Sequence, residues 1–177
     1  EKTFYYFYNC TWDSTSAGKQ SIGVAVADTP LGWSSEQAKA DYCAAKNIPN
    51  RHPDNLHYVD LGQPLVKGTF TTSQSSDWND IDPTVWVETV DGVEHRYLSW
   101  GNGKAFVCEL NDDMISIQDT NGDGKITFGI QAQGATSATA DVLEKNTANL
   151  GVFTEAPWIY RRTDANGDPT GPYYFFY

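Results

Sequence analysis

Two carboxylates, Asp82 and Glu155, each stand just ahead of an apolar run with a proline close behind: Asp82-Pro83-Thr84-Val85-Trp86 and Glu155-Ala156-Pro157-Trp158-Ile159. An aromatic run follows each, Arg96-Tyr97-Leu98-Ser99-Trp100 and Tyr173-Tyr174-Phe175-Phe176-Tyr177, and Phe4-Tyr5-Tyr6-Phe7-Tyr8 is a third copy. A weak repeat of this kind puts the copies at equivalent positions in successive sheets. In radially arranged sheets, as in a β-propeller, the first strand of each lines a central channel, so carboxylates at its start converge on one pocket. Acids that meet in a partly desolvated pocket push one another's pKa upward, and a carboxyl that keeps its proton near neutral pH can serve as an acid. Taken singly, Asp82 before a proline is a common turn residue and Glu155 is a surface acid at a loop exit.

Other residues carry weaker signals. Trp12, Trp78 and Trp100 are candidates for stacking on sugar rings, and equally for packing inside a sheet. Asp119-Thr120-Asn121-Gly122-Asp123-Gly124-Lys125-Ile126 imitates a calcium loop of the EF-hand type, with oxygens at its first, third and fifth positions. Its twelfth position is Ile130, which has no carboxylate, and no helical pattern flanks it, so a turn is the better reading and no cofactor is required. Asp164-Ala165-Asn166-Gly167-Asp168 has the same turn character. Cys10, Cys43 and Cys108 lack the spacing of a zinc site, although one pair is free to bridge in a secreted protein. His52 and His57 lie in an aperiodic stretch, Arg51 to Leu61, and are assigned no role.

The elements that must position these residues are short. Aromatic and β-branched runs between Gly, Asn, Asp and Pro clusters predict an all-β chain. Strands are expected at Phe4–Cys10, Ile22–Ala27, Thr84–Thr89, Arg96–Trp100, Ala105–Leu110, Lys125–Ile130, Trp158–Arg162 and Tyr173–Tyr177, with Asp91-Gly92 and Asn102-Gly103 as hairpin turns. One helical insertion is expected over 35–46. There Ser34-Ser35-Glu36-Gln37 reads as a capping box, Ala38, Tyr42 and Ala45 share a face, and Asn47-Ile48-Pro49 ends the helix. The run from Gly134 to Ala140 reads as a loop, and Asp141 to Asn149 as a polar stretch.

With 177 residues, 40% of them hydrophobic and 20% charged, the chain fits one folded domain. Twenty-three acidic against twelve basic residues leave a formal charge of −11, which repels nucleic acid and acidic membrane surfaces. No apolar run reaches the roughly 18 residues of a membrane span. Glu1-Lys2-Thr3-Phe4 has neither the charged nor the apolar region of a signal peptide, so any leader is expected to be absent already.

The order of three runs resembles glycoside hydrolase family 43, five-bladed propeller enzymes that act on arabinose- and xylose-containing polysaccharides. Ile81-Asp82-Pro83-Thr84-Val85-Trp86, Tyr97-Leu98-Ser99-Trp100-Gly101-Asn102-Gly103 and Cys108-Glu109-Leu110-Asn111-Asp112-Asp113-Met114 are similar to the family's second blade. Glu155-Ala156-Pro157-Trp158 with Tyr173-Tyr174-Phe175-Phe176-Tyr177 is similar to its third, and Ile22 to Gly32 to the end of its first. The resemblance divides the chain into residues 1–70 as the rest of blade one with the helical insertion, 71–150 as blade two with a connecting loop, and 151–177 as the start of blade three. It also implies roles. Glu155 becomes the general acid and Asp82 the carboxylate that orients it and raises its pKa above the ordinary glutamate value of about 4.3. Both are expected to point into one water-poor hollow.

Family members invert the anomeric centre, which needs a further carboxylate roughly 6.5 to 9.5 Å from the acid to activate water. By the repeat, that base precedes Phe4 by roughly 14 to 18 residues and so falls before Glu1. Asp13 and Asp28 are the nearest acids, and both follow the wrong strand. The base and the last two blades are therefore expected from the rest of a longer chain or a second polypeptide, and the 177 residues alone are expected to be inactive. The implied activity is removal of α-L-arabinofuranosyl residues from arabinoxylan or arabinan. A β-xylosidase of the same family and a non-catalytic sugar-binding propeller are the alternatives. The partner is thus a plant cell-wall polysaccharide or oligosaccharide, and secretion is the expected localisation.

Overall fold

The computed structural model describes residues 2–11, 20–67, 80–129, 140–145 and 153–177. Trp12, Asp13, Trp78 and Ile130, with the expectations for 134–139 and 146–149, lie outside the described residues. Among the described residues the chain is mostly β, in three sheets that do not close on themselves, with one helix.

The first sheet has the order β1 (Phe4–Thr11), β2 (Gln20–Ala27), β3 (Val59–Asp60). Its central strand is buried from Ser21 to Ala27, the pattern of a strand covered on both faces. Helix α1 (Glu36–Lys46) lies between β2 and β3 in the chain, within the span expected for it. Its cap is Ser35 rather than Ser34: the Ser35 hydroxyl accepts the Ala38 N–H at 3.1 Å, while Ser34 donates its N–H and hydroxyl to Asp28. Asn47 ends the helix in the left-handed region at φ 54°.

Of the expected face of α1, Ala38 and Tyr42 are partly buried and pack against the core, whereas Ala45 is exposed; the fully buried positions are their neighbours Lys39 and Cys43. Lys39 turns inward because its ammonium has partners there. It donates to the carbonyl oxygens of His52 at 2.5 Å and Asn55 at 2.8 Å, and to the Asn55 side chain at 3.2 Å. The stretch after the helix is thus tethered to it, and His52 and His57 stay exposed.

The second sheet runs β4 (Thr84–Val90), β5 (Val93–Trp100), β6 (Ala105–Glu109) and β8 (Val142–Lys145), all antiparallel, with β7 (Phe128–Gly129) parallel to β8 at the edge. Asp91 and Gly92 both have positive φ, as a two-residue hairpin between β4 and β5 requires. The third sheet pairs β9 (Trp158–Thr163) with β10 (Pro169–Phe176) around the expected turn, where the Asp164 carboxylate accepts N–H bonds from Asn166 and Asp168.

The strand expected at Lys125–Ile130 is shortened, and two strands are additions to those expected: β3, which carries buried Val59 within the stretch read as aperiodic, and β8. The shortening and β8 follow from Asp141, a buried carboxylate that accepts the N–H and hydroxyl of Thr120 at 2.7 and 2.6 Å and of Thr127 at 2.9 and 3.0 Å. Between those threonines the Asp119 carboxylate accepts N–H groups of Gly122, Asp123 and Gly124, which makes the segment a closed turn. Val142, next to Asp141, enters the core as the start of β8.

Ile22 of β2, and Val66, which bridges it, pack with Leu98, Trp100, Phe106 and Val142 of the second sheet. Second and third sheets meet through Trp86 and Tyr160, whose rings are 5.4 Å apart edge to face. A polar contact reinforces that seam: buried Glu88 accepts the Tyr173 hydroxyl and lies 3.6 Å from Arg161. Cys10, Cys43 and Cys108 are all free thiols, so the bridge left open by the sequence is not formed. Among the described residues no helix is long and apolar enough to cross a membrane.

Burial alone would raise the Asp141 pKa, but the Thr120 and Thr127 donors outweigh it and hold the carboxyl below the ordinary aspartate value of 3.8. A depressed folded-state pKa contributes stability above the unfolded value that is lost as pH falls through the folded one. Asp141→Ala should therefore cost about 2 to 3 kcal/mol at neutral pH, with the gap to the parent protein narrowing as the medium is acidified below pH 3.8. Urea unfolding at several pH values measures this, and a gap independent of pH would contradict it.

Candidate functional site

The segments that carry Asp82 and Glu155 enter neighbouring strands of different sheets. Asp82 lies two residues before β4, Glu155 three residues before β9, and the turn between β5 and β6 holds both segments. The Gly101 N–H donates to the Ile81 carbonyl at 2.9 Å, and the Gly103 N–H donates to the Thr154 carbonyl at 2.7 Å. Gly101 has φ 141°, and a β-carbon there would run into the Lys104 carbonyl oxygen, so no other residue makes this turn without displacing it. Beneath it, Thr84 and Ser99 pair across β4 and β5, and their hydroxyls lie 2.8 and 3.1 Å from the Pro157 carbonyl oxygen.

The carboxyl groups are linked through backbone as well as charge. The Ala156 N–H, next to Glu155, donates to the Asp82 carboxylate. Asp82 and Ala156 both sit in the left-handed region, at φ 54° and 58°. For side chains other than Gly this is a sparsely populated conformation costing roughly 1 kcal/mol or more, and it persists only where surrounding contacts enforce it. Here those contacts are the turn at Gly101–Gly103 and the Pro157 carbonyl clamp. Partial burial is the larger cause of a raised Asp82 pKa and the nearby Glu155 charge the second, while the Ala156 N–H opposes both. The Glu155 Oε2 accepts the Asn102 side-chain N–H at 3.0 Å.

The two carboxyls do not share the water-poor hollow expected of them: Asp82 is partly buried, whereas Glu155 is exposed. The strand entry that carries Glu155 stands at the surface, where the Asn102 amide holds its side chain. Trp100 is corrected from a sugar-stacking candidate to a core residue. It has no exposed surface, stacks on Phe106 with ring centroids 5.6 Å apart, and donates its indole N–H to buried Asp80 at 2.6 Å. Trp12 and Trp78 lie outside the described residues. Asp28 is occupied by Ser34 at the approach to α1. Among the described residues no group of three His, Cys, Asp or Glu side chains is placed to hold a metal ion.

Sequence reasoning missed Asn102, Thr84 and Ser99 as parts of this site. Asn102 has turn chemistry to explain it, and the hydroxyl pair becomes visible only through the register of β4 on β5. Trp158 reads in the sequence only as a strand residue, yet it is half exposed and lies three positions after Glu155. Geometrically, the site offers two interacting carboxyls, one partly desolvated and one open to a ligand. The chain matches no known protein-family profile and no curated protein.

A raised folded-state pKa means that stability declines as pH rises through the window between the unfolded and folded values. Asp82→Asn removes this penalty. The variant should match the parent below pH 3.8 and become the more stable of the two toward pH 7. Denaturant unfolding across that range checks the sign, and a variant less stable at pH 7 would contradict it.

Proposed function

We propose that the chain is the hub-facing portion of a five-bladed propeller glycosidase that removes α-L-arabinofuranosyl residues from arabinoxylan or arabinan with inversion. The observation that carries the reading is the convergence of Asp82 and Glu155 from two sheets onto one turn, with the charge of Glu155 felt at Asp82. The first and third sheets, and the run β4 to β6 of the second, follow chain order, and with the carboxylates just before β4 and β9 this fits radial repetition, although β8 and the parallel β7 depart from it.

In this reading Glu155 gives its proton to the glycosidic oxygen as the bond to the anomeric carbon breaks, and the bonding electron pair stays on that oxygen. Water adds to the anomeric carbon from the opposite face and loses its proton to a third carboxylate. That base, and the blades that would cover Glu155, belong to the rest of a longer chain or to a second polypeptide. Asp82 orients the acid. No cofactor enters the reaction.

A second reading, a non-catalytic sugar-binding propeller, is favoured by the exposed aromatic rings of Trp158, Tyr174 and Phe176, which are suited to stacking on sugars. Aryl α-L-arabinofuranosides and aryl β-D-xylosides presented to the complete protein separate the substrates, because the same carboxylates serve either sugar. Glu155→Gln should lower arabinofuranoside cleavage by about a hundredfold or more while polysaccharide binding persists. Preferred cleavage of the xyloside would move the assignment to a β-xylosidase, and binding without cleavage by the parent protein would favour the second reading.

A further inference from the structure

The hydrogen bond between Asn102 and Glu155 has a chemical direction. A carboxylate oxygen can only accept, so Asn102 must present its NH2 group, and it does so to Oε2 at 3.0 Å. When Glu155 carries a proton, the same donor opposes protonation of Oε2, because two hydrogens would then face one another. Asn102 is not free to turn away. Its backbone bridges Glu155 antiparallel, and its neighbours Gly101 and Gly103 are bonded to Ile81 and Thr154.

We infer that Asn102 is a positioning residue for proton transfer: by donating to Oε2 of Glu155 it confines the transferable proton to Oε1. The inference rests on the glycosidase reading above and adds to it the oxygen from which the proton leaves. As the proton passes from Oε1 to the glycosidic oxygen, negative charge spreads onto Oε2. The bond from Nδ2 then becomes charge-assisted and strengthens, so it favours the transition state over the ground state.

The test uses the complete protein and two aryl arabinofuranosides, one with a poor leaving group such as phenoxide and one with an activated group such as 2,4-dinitrophenoxide, which departs without protonation. Asn102→Ala should lower kcat on the phenyl substrate on the order of tenfold to a hundredfold, with KM nearly unchanged, and should largely spare the dinitrophenyl substrate. Asn102→Asp keeps the shape of the side chain and replaces the donor with an acceptor, so it should show the same leaving-group split even where Asn102→Ala folds poorly. Equal losses on both substrates, or no loss on either, would overturn the inference and leave the glycosidase reading in place. Glu155→Gln serves as the control: undiminished cleavage of the phenyl substrate by that variant, or no cleavage by the parent protein, would remove the underlying reading and the inference with it.

Discussion

The four-residue turn from Gly101 to Lys104 is the constraint on which the site depends. It belongs to the second sheet, yet its amides hold the segment before β4 through Ile81 and the segment before β9 through Thr154. Two acidic side chains at the starts of different strands would otherwise move apart, since like charges repel and each is better solvated alone. The turn removes that freedom. Its glycine at 101 is required by a left-handed-region φ and the adjacent Lys104 carbonyl, so the position of both carboxyls traces back to one residue without a β-carbon.

Strain and electrostatics point the same way. Left-handed backbone at Asp82 and Ala156 is unfavourable, and partial burial of Asp82 beside Glu155 is unfavourable. Both are maintained by contacts elsewhere. Part of that support is local, from the Thr84 and Ser99 hydroxyls on the Pro157 carbonyl. Another part lies farther along β4, where Glu88 meets Tyr173 and Arg161 and the Trp86 and Tyr160 rings pack edge to face. Burial there raises the Tyr173 and Tyr97 hydroxyl pKa values, with the neighbouring acids adding to it, so both stay neutral donors across the ordinary pH range. The seam between β4 and β9 is thereby fixed well away from the carboxyls it aligns.

Much of the architecture is legible in the residues. Period-two and aromatic runs mark most strands, and Asp91-Gly92 and Asp164 to Asp168 mark turns because their backbone demands are local. The helix is also visible, with Ala38 and Tyr42 of its packed face, although Lys39 is not: it faces inward only because three loop oxygens await it, a fact no periodicity carries. Strand β8 is hidden for a similar reason, since Asp141 looks polar in sequence and is buried by four donors from distant residues. At the site, the repeat singles out Asp82 and Glu155. Trp100 misleads because composition does not distinguish a stacking face from a core ring. Asn102 escapes because a turn already accounts for it, and its amide acquires meaning only when the segment before β9 is brought alongside.

The most direct measurement is the titration of the Asp82 side-chain carboxyl, followed by carbon-detected NMR in the complete protein and in its Glu155→Gln variant. Removal of the Glu155 charge deletes one of the two effects that raise the Asp82 pKa, so its midpoint should fall in the variant while staying above the ordinary aspartate value because the burial is unchanged. An Asp82 midpoint that is the same in both proteins would mean that the two carboxyls do not share a site, and would contradict the convergence on which the glycosidase reading rests.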